Sequence, residues 1–147
     1  MRLTRFTDYS LRVLIYLGQN NQSRVTIHQV SEAYDISKNH LMKVVSNLTR
    51  LKIVSAQRGP GGGIQLNRMP KEISLNEIIR NTEKHFHDMD CEITVDKHDA
   101  TADTRLKSYL KSAMQAYLDA LGRFTLADVL EPQSETVQLL DLGEKVA

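Results

Sequence analysis

Residues 36–63, ISKNHLMKVVSNLTRLKIVSAQRGPGGG, restrict the fold more than any other stretch of this chain. Leu41, Val44, Val45, Leu48 and Leu51 recur at three- and four-residue intervals, which places them on one stripe of a helix. Lys38, Asn39, Lys43, Asn47 and Arg50 fall largely off that stripe, so one face packs and the other is free. Ser37 suits an N-cap, its hydroxyl accepting from a first-turn amide, and Lys38, Asn39 and His40 then form the helix tip. A short β-compatible segment follows over 53–58. Arg58-Gly-Pro-Gly-Gly-Gly63 then turns, and Ile64-Gln-Leu66 alternates as a returning strand does. Glycines allow positive φ and close approach to another surface.

A helix tip of this kind followed by a basic glycine hairpin is the arrangement of a recognition helix and a wing. Alone, a glycine turn is ordinarily only a turn, and a helix with three basic residues only a solvated face. Their adjacency points to nucleic acid, with Arg58 suited to a narrow, electronegative minor groove.

Charge supports this reading. The net charge of +1 over 147 residues conceals two opposed halves. Residues 1–70 hold ten Lys or Arg against three Asp or Glu, a net +7, whereas residues 71–147 hold nine against fifteen, a net −6. Phosphate neutralisation dominates non-specific DNA affinity, so the first half carries the expected electrostatic footprint and the second half faces away.

In chain order, residues 6–17 read as a first helix with Leu11, Leu14, Ile15 and Gly18 able to pack. Arg2, Thr4 and Arg5 near its start are candidate DNA contacts. Thr26-Ile-His-Gln29 matches a capping box opening a helix to Tyr34, with Ile27, Val30 and Ala33 inward. The expected fold is therefore mainly α with a small β-hairpin, a winged helix-turn-helix over 1–70. Ser74-Leu-Asn-Glu77 reads as a second capping box, opening a connecting helix within 71–103. The rest of that span, rich in His and Asp, lacks a sustained period and is a candidate sensor loop. From Asp103 a long helix carries the stripe Leu106, Leu110, Ala113, Tyr117 and Leu121 and ends at Gly122. Such a stripe needs covering, and a second copy of the chain is the natural cover. Residues 124–130 read as a short docking helix opened by Thr125, so 104–131 form a dimerisation and docking unit. Residues 132–147 read as an unstructured tail with little to bury.

Other classes find little support. No Walker loop, nucleophile elbow or paired-carboxylate site is present, and Gly59 to Gly63 lacks the following Lys-Ser or Lys-Thr of a phosphate loop. An enzyme is not expected. A winged fold serving only protein interaction is the remaining alternative, and the positive first half opposes it. No stretch suits a bilayer span or a signal peptide, which with the single cysteine, Cys91, suggests a cytoplasmic protein without intrachain disulfides.

FTDYSLRVLIYL, ISKNHLMKVVSNLTRL, AQRGPGGGIQL, the RLK of the long helix and FTLADVL after it resemble the winged-helix transcriptional regulators of the NsrR and IscR type, most nearly the nitric-oxide-sensing NsrR branch. The likeness spans about residues 1 to 130. It implies a homodimeric regulator of a pseudo-palindromic DNA operator, with DNA contacts at Arg2, Thr4, Arg5, Ser37, Lys38, Asn39, His40, Lys43, Arg58, Gly59, Gly61 and Gly62. In cluster-binding members, three cysteines before the long helix hold an iron-sulfur cluster, completed by a ligand from another position. Here Cys91 matches the first cysteine, His98 falls near the second and Thr104 near the third, while Asp8 matches the position of a non-cysteine ligand. The residues themselves leave several chemistries open. Cys91 and His98, with His85 and His87 as alternatives, are compatible with a mixed-ligand 2Fe-2S cluster, zinc, haem or no cofactor. Cys91 is also an oxidisable thiol, though Asp90 and Glu92 beside it oppose thiolate formation.

Overall fold

The computed structural model describes residues 3–83, 86 and 100–132. Helix α1 spans Arg5–Gln19, α2 Ile27–Tyr34 and α3 Lys38–Arg50. Strands β1 (Val54–Gln57) and β2 (Gly63–Leu66) form an antiparallel hairpin, with Val54 opposite Leu66 and Gln57 opposite Gly63. A 3-10 turn at Pro70–Glu72 leads to α4 (Leu75–Thr82), and α5 (Ala100–Leu121) and α6 (Leu126–Leu130) complete the described chain. A mainly helical fold with one small hairpin is what the sequence implies.

Caps set several of these boundaries. The Thr26 hydroxyl accepts from the Gln29 amide at 3.2 Å, and the Thr26 amide donates back to the Gln29 side chain at 2.8 Å. Asp35 ends α2 in the left-handed region at φ 51°, and Ser31 Oγ donates to the Ile36 carbonyl at 2.7 Å across that turn. The tight turn fixes the angle between α2 and α3.

The core gathers Val13, Leu14 and Leu17 of α1, Val30 of α2, Leu41, Val44, Val45 and Leu48 of α3, and Ile53, Val54 and Ile64 of the hairpin. Ile73, Ile78 and Leu126 belong to the same cluster, so the chain after Pro70 completes the core of the first half rather than beginning a separate one. Val25 extends the hairpin edge, exchanging two backbone bonds with Ile64 at 2.7 and 2.9 Å.

Packing adds detail to α1 and corrects two local expectations, at Ala33 and at Ser74. Leu11 and Ile15 pack against the core while half-buried, and the fully buried residues of α1 are Thr7, Ser10, Val13, Leu14 and Leu17. Small hydroxyl residues occupy the side facing α4: Thr7 Oγ1 donates to Thr82 Oγ1 at 2.9 Å, which donates to the Ile78 carbonyl at 2.8 Å. Ser10 donates to the Phe6 carbonyl at 2.7 Å, so the hydroxyls of Thr7, Ser10 and Thr82 are all satisfied. Ala33, expected inward on α2, is exposed.

The Ser74–Glu77 capping box does not form. Ser74 makes no side-chain cap, and Glu77 turns to Arg68 Nη2 at 2.8 Å. Residues 124–126 run beside the α4 start instead, the Leu75 amide donating to the Phe124 carbonyl at 3.0 Å and the Leu126 amide to the Ile73 carbonyl at 2.8 Å. A backbone partner therefore satisfies the first amide of α4, one of the four that a helix leaves unpaired at its start. Thr125 does open α6, with Asp128 accepting from its amide and its hydroxyl at 2.6 and 2.7 Å. Leu130 packs over Gly18 of α1.

On α5, the residue that reaches the core side is Leu118, fully buried. Leu106, Tyr109 and Leu110 are 47, 68 and 37% exposed, and Ala113 is exposed with them. The helix begins at Ala100, three residues before the start expected from its apolar stripe.

Candidate nucleic-acid interface

The candidate surface is built by α3 and the hairpin. The stripe Leu41, Val44, Val45 and Leu48 is buried as its spacing predicts, which turns Lys38, Asn39, Met42, Lys43 and Ser46 outward. Ser37 caps the helix, accepting from the His40 amide at 3.4 Å and lying 2.9 Å from His40 Nδ1. The His40 ring is tilted against Tyr9, with centroids 5.9 Å apart, so it is held at the helix tip by α1.

At the hairpin end, Gly59 and Gly61 take φ of 95° and 72°, conformations that side chains with a Cβ rarely adopt. A Cβ on Gly62 would come within 2.7 Å of the Gly59 carbonyl, and the Gly62 amide donates to that same oxygen at 2.9 Å. The turn therefore depends on glycine for both torsion and space, and it presents Arg58 to solvent.

Between α3 and the hairpin lies a groove of about 670 Å³, bordered by Met42, Ser46 and Thr49 on one side and by Arg58, Gly59 and Gly62 on the other. Thr26 and Ile27 at the start of α2 close its end. Among the described residues, the carboxylates of Asp8 and Glu77 pair with Arg12 and Arg68, and neither engages Lys38, Lys43 or Arg58. Between Asp35 and Glu72 the chain has no acidic residue, a gap in the sequence that marks this surface as distinctly as its lysines do. The result is a surface on which Lys38, Lys43 and Arg58 have no ion-pair partner among the described residues, the electrostatic complement of a phosphate backbone.

The remaining candidates fall in different places. Arg5 is exposed at the first turn of α1. Thr4 is its N-cap: its hydroxyl accepts from the Thr7 amide at 3.3 Å, and its own amide donates to Glu83 at 2.6 Å. Arg2, His85, His87, Cys91 and His98 lie outside the described residues, as do the candidate sensor loop around them and nearly all of the tail. Asp8 is described, and both its oxygens accept from Arg12 Nε at 3.0 and 3.1 Å. Among the described residues no group of three or more His, Cys, Asp or Glu is placed to hold a metal ion, and no helix is long and apolar enough to cross a membrane. Met42 and Ser46 line both the groove and the adjoining depression, and the apolar stripe gave no sign of them. Their signal was position alone, since they lie three and seven residues beyond Asn39, one and two turns along the unpacked face.

Residues 3–132 match the model of the Rrf2 family, described as an iron-dependent transcriptional regulator. The chain belongs to the Rrf2 family. This Rrf2 chain is 42% identical over 142 residues to the HTH-type transcriptional regulator NsrR of Bacillus licheniformis, covering 95% of the chain and 99% of that protein. It is 40% identical over 147 residues to NsrR of Bacillus subtilis, covering 98 and 100%. The fold matches CymR, the global cysteine regulator of B. subtilis, with a TM-score of 0.67 at 23% identity over 88% of this chain and 96% of that one. It also matches IscR of T. potens, with a TM-score of 0.67 at 23% identity over 100 and 93%. The winged-helix architecture is thus shared, and this Rrf2 chain is a transcriptional regulator rather than an enzyme.

Proposed function

We propose that the chain is a homodimeric, sequence-specific repressor that binds a pseudo-palindromic duplex in the cytoplasm, with α3 in the major groove and the Arg58 hairpin in the adjacent minor groove. The observation that carries this reading is the groove between α3 and the hairpin, bordered by Arg58, with Lys43 bordering the adjoining depression on α3 and Lys38 exposed on the same helix, none of the three in an ion pair with a carboxylate among the described residues. The dimer reading rests on α5, whose Leu106, Tyr109 and Leu110 form an exposed apolar face in a single chain. A self-complementary contact along that face pairs two DNA heads, as two half-sites require.

The signal enters, in this reading, through the segment between α4 and α5 that carries Cys91, in response to nitric oxide or redox state. The α4 end of that segment is tied to the body at two points: Glu83 accepts from the Thr4 amide at the α1 start, and the Phe86 ring stacks on Tyr117 of α5 with centroids 5.6 Å apart. A chemical change in the segment thereby acts on α1 and α5 together, and it alters DNA affinity to the extent that the two arrangements bind DNA differently.

The residues available do not fit an iron-sulfur cluster held mostly by thiolates. One cysteine supplies one thiolate per chain, and the Asp8 carboxylate is occupied by Arg12.

Anaerobic purification followed by iron, zinc and sulfide analysis tests the cofactor question directly, since a metal-free protein that still binds its operator excludes cluster, haem and zinc as requirements. Selection of duplexes from a random-sequence pool, followed by a salt titration, tests DNA binding. A steep linear fall of log affinity with log salt is expected, whereas failure to enrich any duplex overturns the reading.

A further inference from the structure

The packed stripe of α3 buries every other aliphatic residue of that helix, yet Met42 stands 51% exposed at the middle of its open face. Asn39, Met42, Lys43 and Ser46 border one shallow depression there, and Met42 also borders the groove that runs to the hairpin. Asn39 and Met42 are three residues apart, so their side chains are neighbours on the same face.

A helix that enters the major groove meets hydrogen-bonding edges and a single apolar group, the C5 methyl of thymine. Lys38 and Lys43 beside Met42 direct this face toward phosphate, and α3 contains no Asp or Glu to accept from a cytosine amino group. An unbranched, polarizable thioether can settle against a methyl group without demanding one exact geometry. Asn39, one turn earlier, has the amide that pairs with the N6 and N7 edge of adenine.

We propose that Met42 is a specificity-determining residue that recognises thymine through its C5 methyl, beside an adenine bonded by Asn39, so that each half-site carries an A·T-containing step under the centre of α3. This rests on the DNA-binding reading above and adds to it the base that the helix prefers.

Uracil differs from thymine only by that methyl, so it isolates the contact. The full-length dimer is used to select duplexes from a random-sequence pool. Affinity is then measured on the selected duplex and on versions with uracil replacing thymine at each position in turn. The expected result is one position per half-site at which uracil weakens binding about fourfold, and about 15-fold when both half-sites are changed, the effect of one buried methyl at each. Met42→Ala and Met42→Gln, both at an exposed site, should keep the parent's circular dichroism and bind thymine and uracil duplexes within about twofold of each other. If duplexes are enriched but no uracil substitution matters, or if Met42→Ala discriminates as the parent does, the assignment of Met42 falls while DNA binding stands. If no duplex is enriched, both fall.

Discussion

The backbone amide of Thr4 donates to Oε1 of Glu83 at 2.6 Å, joining positions 79 residues apart. Glu83 is only 4% exposed, and its neighbour Thr82 is bonded to Thr7 one turn into α1. The first turn of α1 is therefore fastened to the last turn of α4, where a carboxylate also faces the positive end of the α1 dipole.

Removing that carboxylate leaves the Thr4 amide without its partner. Glu83→Ala should cost about 1–3 kcal/mol in urea unfolding, and Glu83→Gln, which keeps an acceptor but no charge, should cost less. Equal stability of all three chains would show that the clasp contributes nothing.

Tyr117 predicts an alkaline response. Desolvation by burial, and then the Glu83 carboxylate, raise its phenol above the ordinary value of 10.0. The folded chain thus holds the proton more tightly than the unfolded one, so the associated stability is complete below pH 10 and is lost as pH rises through the raised value. Tyr117→Phe keeps the ring stacked on Phe86 and should lessen the loss of stability above pH 10, measured by thermal melts across the alkaline range.

Lys43 and Arg58 flank the recognition surface from opposite sides, one on α3 and the other on the hairpin. Each Ala substitution should weaken binding to the selected duplex and to unrelated duplexes alike, and should reduce the salt slope by about 1 for each phosphate no longer neutralised. Both residues are exposed, so Tm should stay unchanged. If both variants keep the parent's affinity and slope, the DNA-binding surface lies elsewhere.

On α5, Leu106→Lys with Leu110→Lys places charge on the exposed apolar face. Light scattering should report half the parent's mass, with circular dichroism retained because neither residue is in the core. A double variant with the parent's mass would remove α5 from the dimer interface.

Much of the first half was legible in the sequence because the deciding interactions there are local. The α3 stripe follows from helical periodicity, the Thr26–Gln29 box and the Ser37 cap span one turn each, and Gly59, Gly61 and Gly62 answer to torsions and contacts within their own hairpin. Such features are readable from spacing alone.

Spacing says which residues share a face, but only the arriving partner says which face is covered. Thr7 is buried where it meets Thr82 of α4, and the first amide of α4 is paired because residues 124–126 return to that helix start. Leu118 is enclosed while Leu106 and Leu110 stay in solvent because the folded body reaches one end of α5 and not the other. The same long-range choice leaves Met42 open, on the helix face opposite the core. Tertiary structure decided these points, since each depends on contacts between residues far apart in the chain.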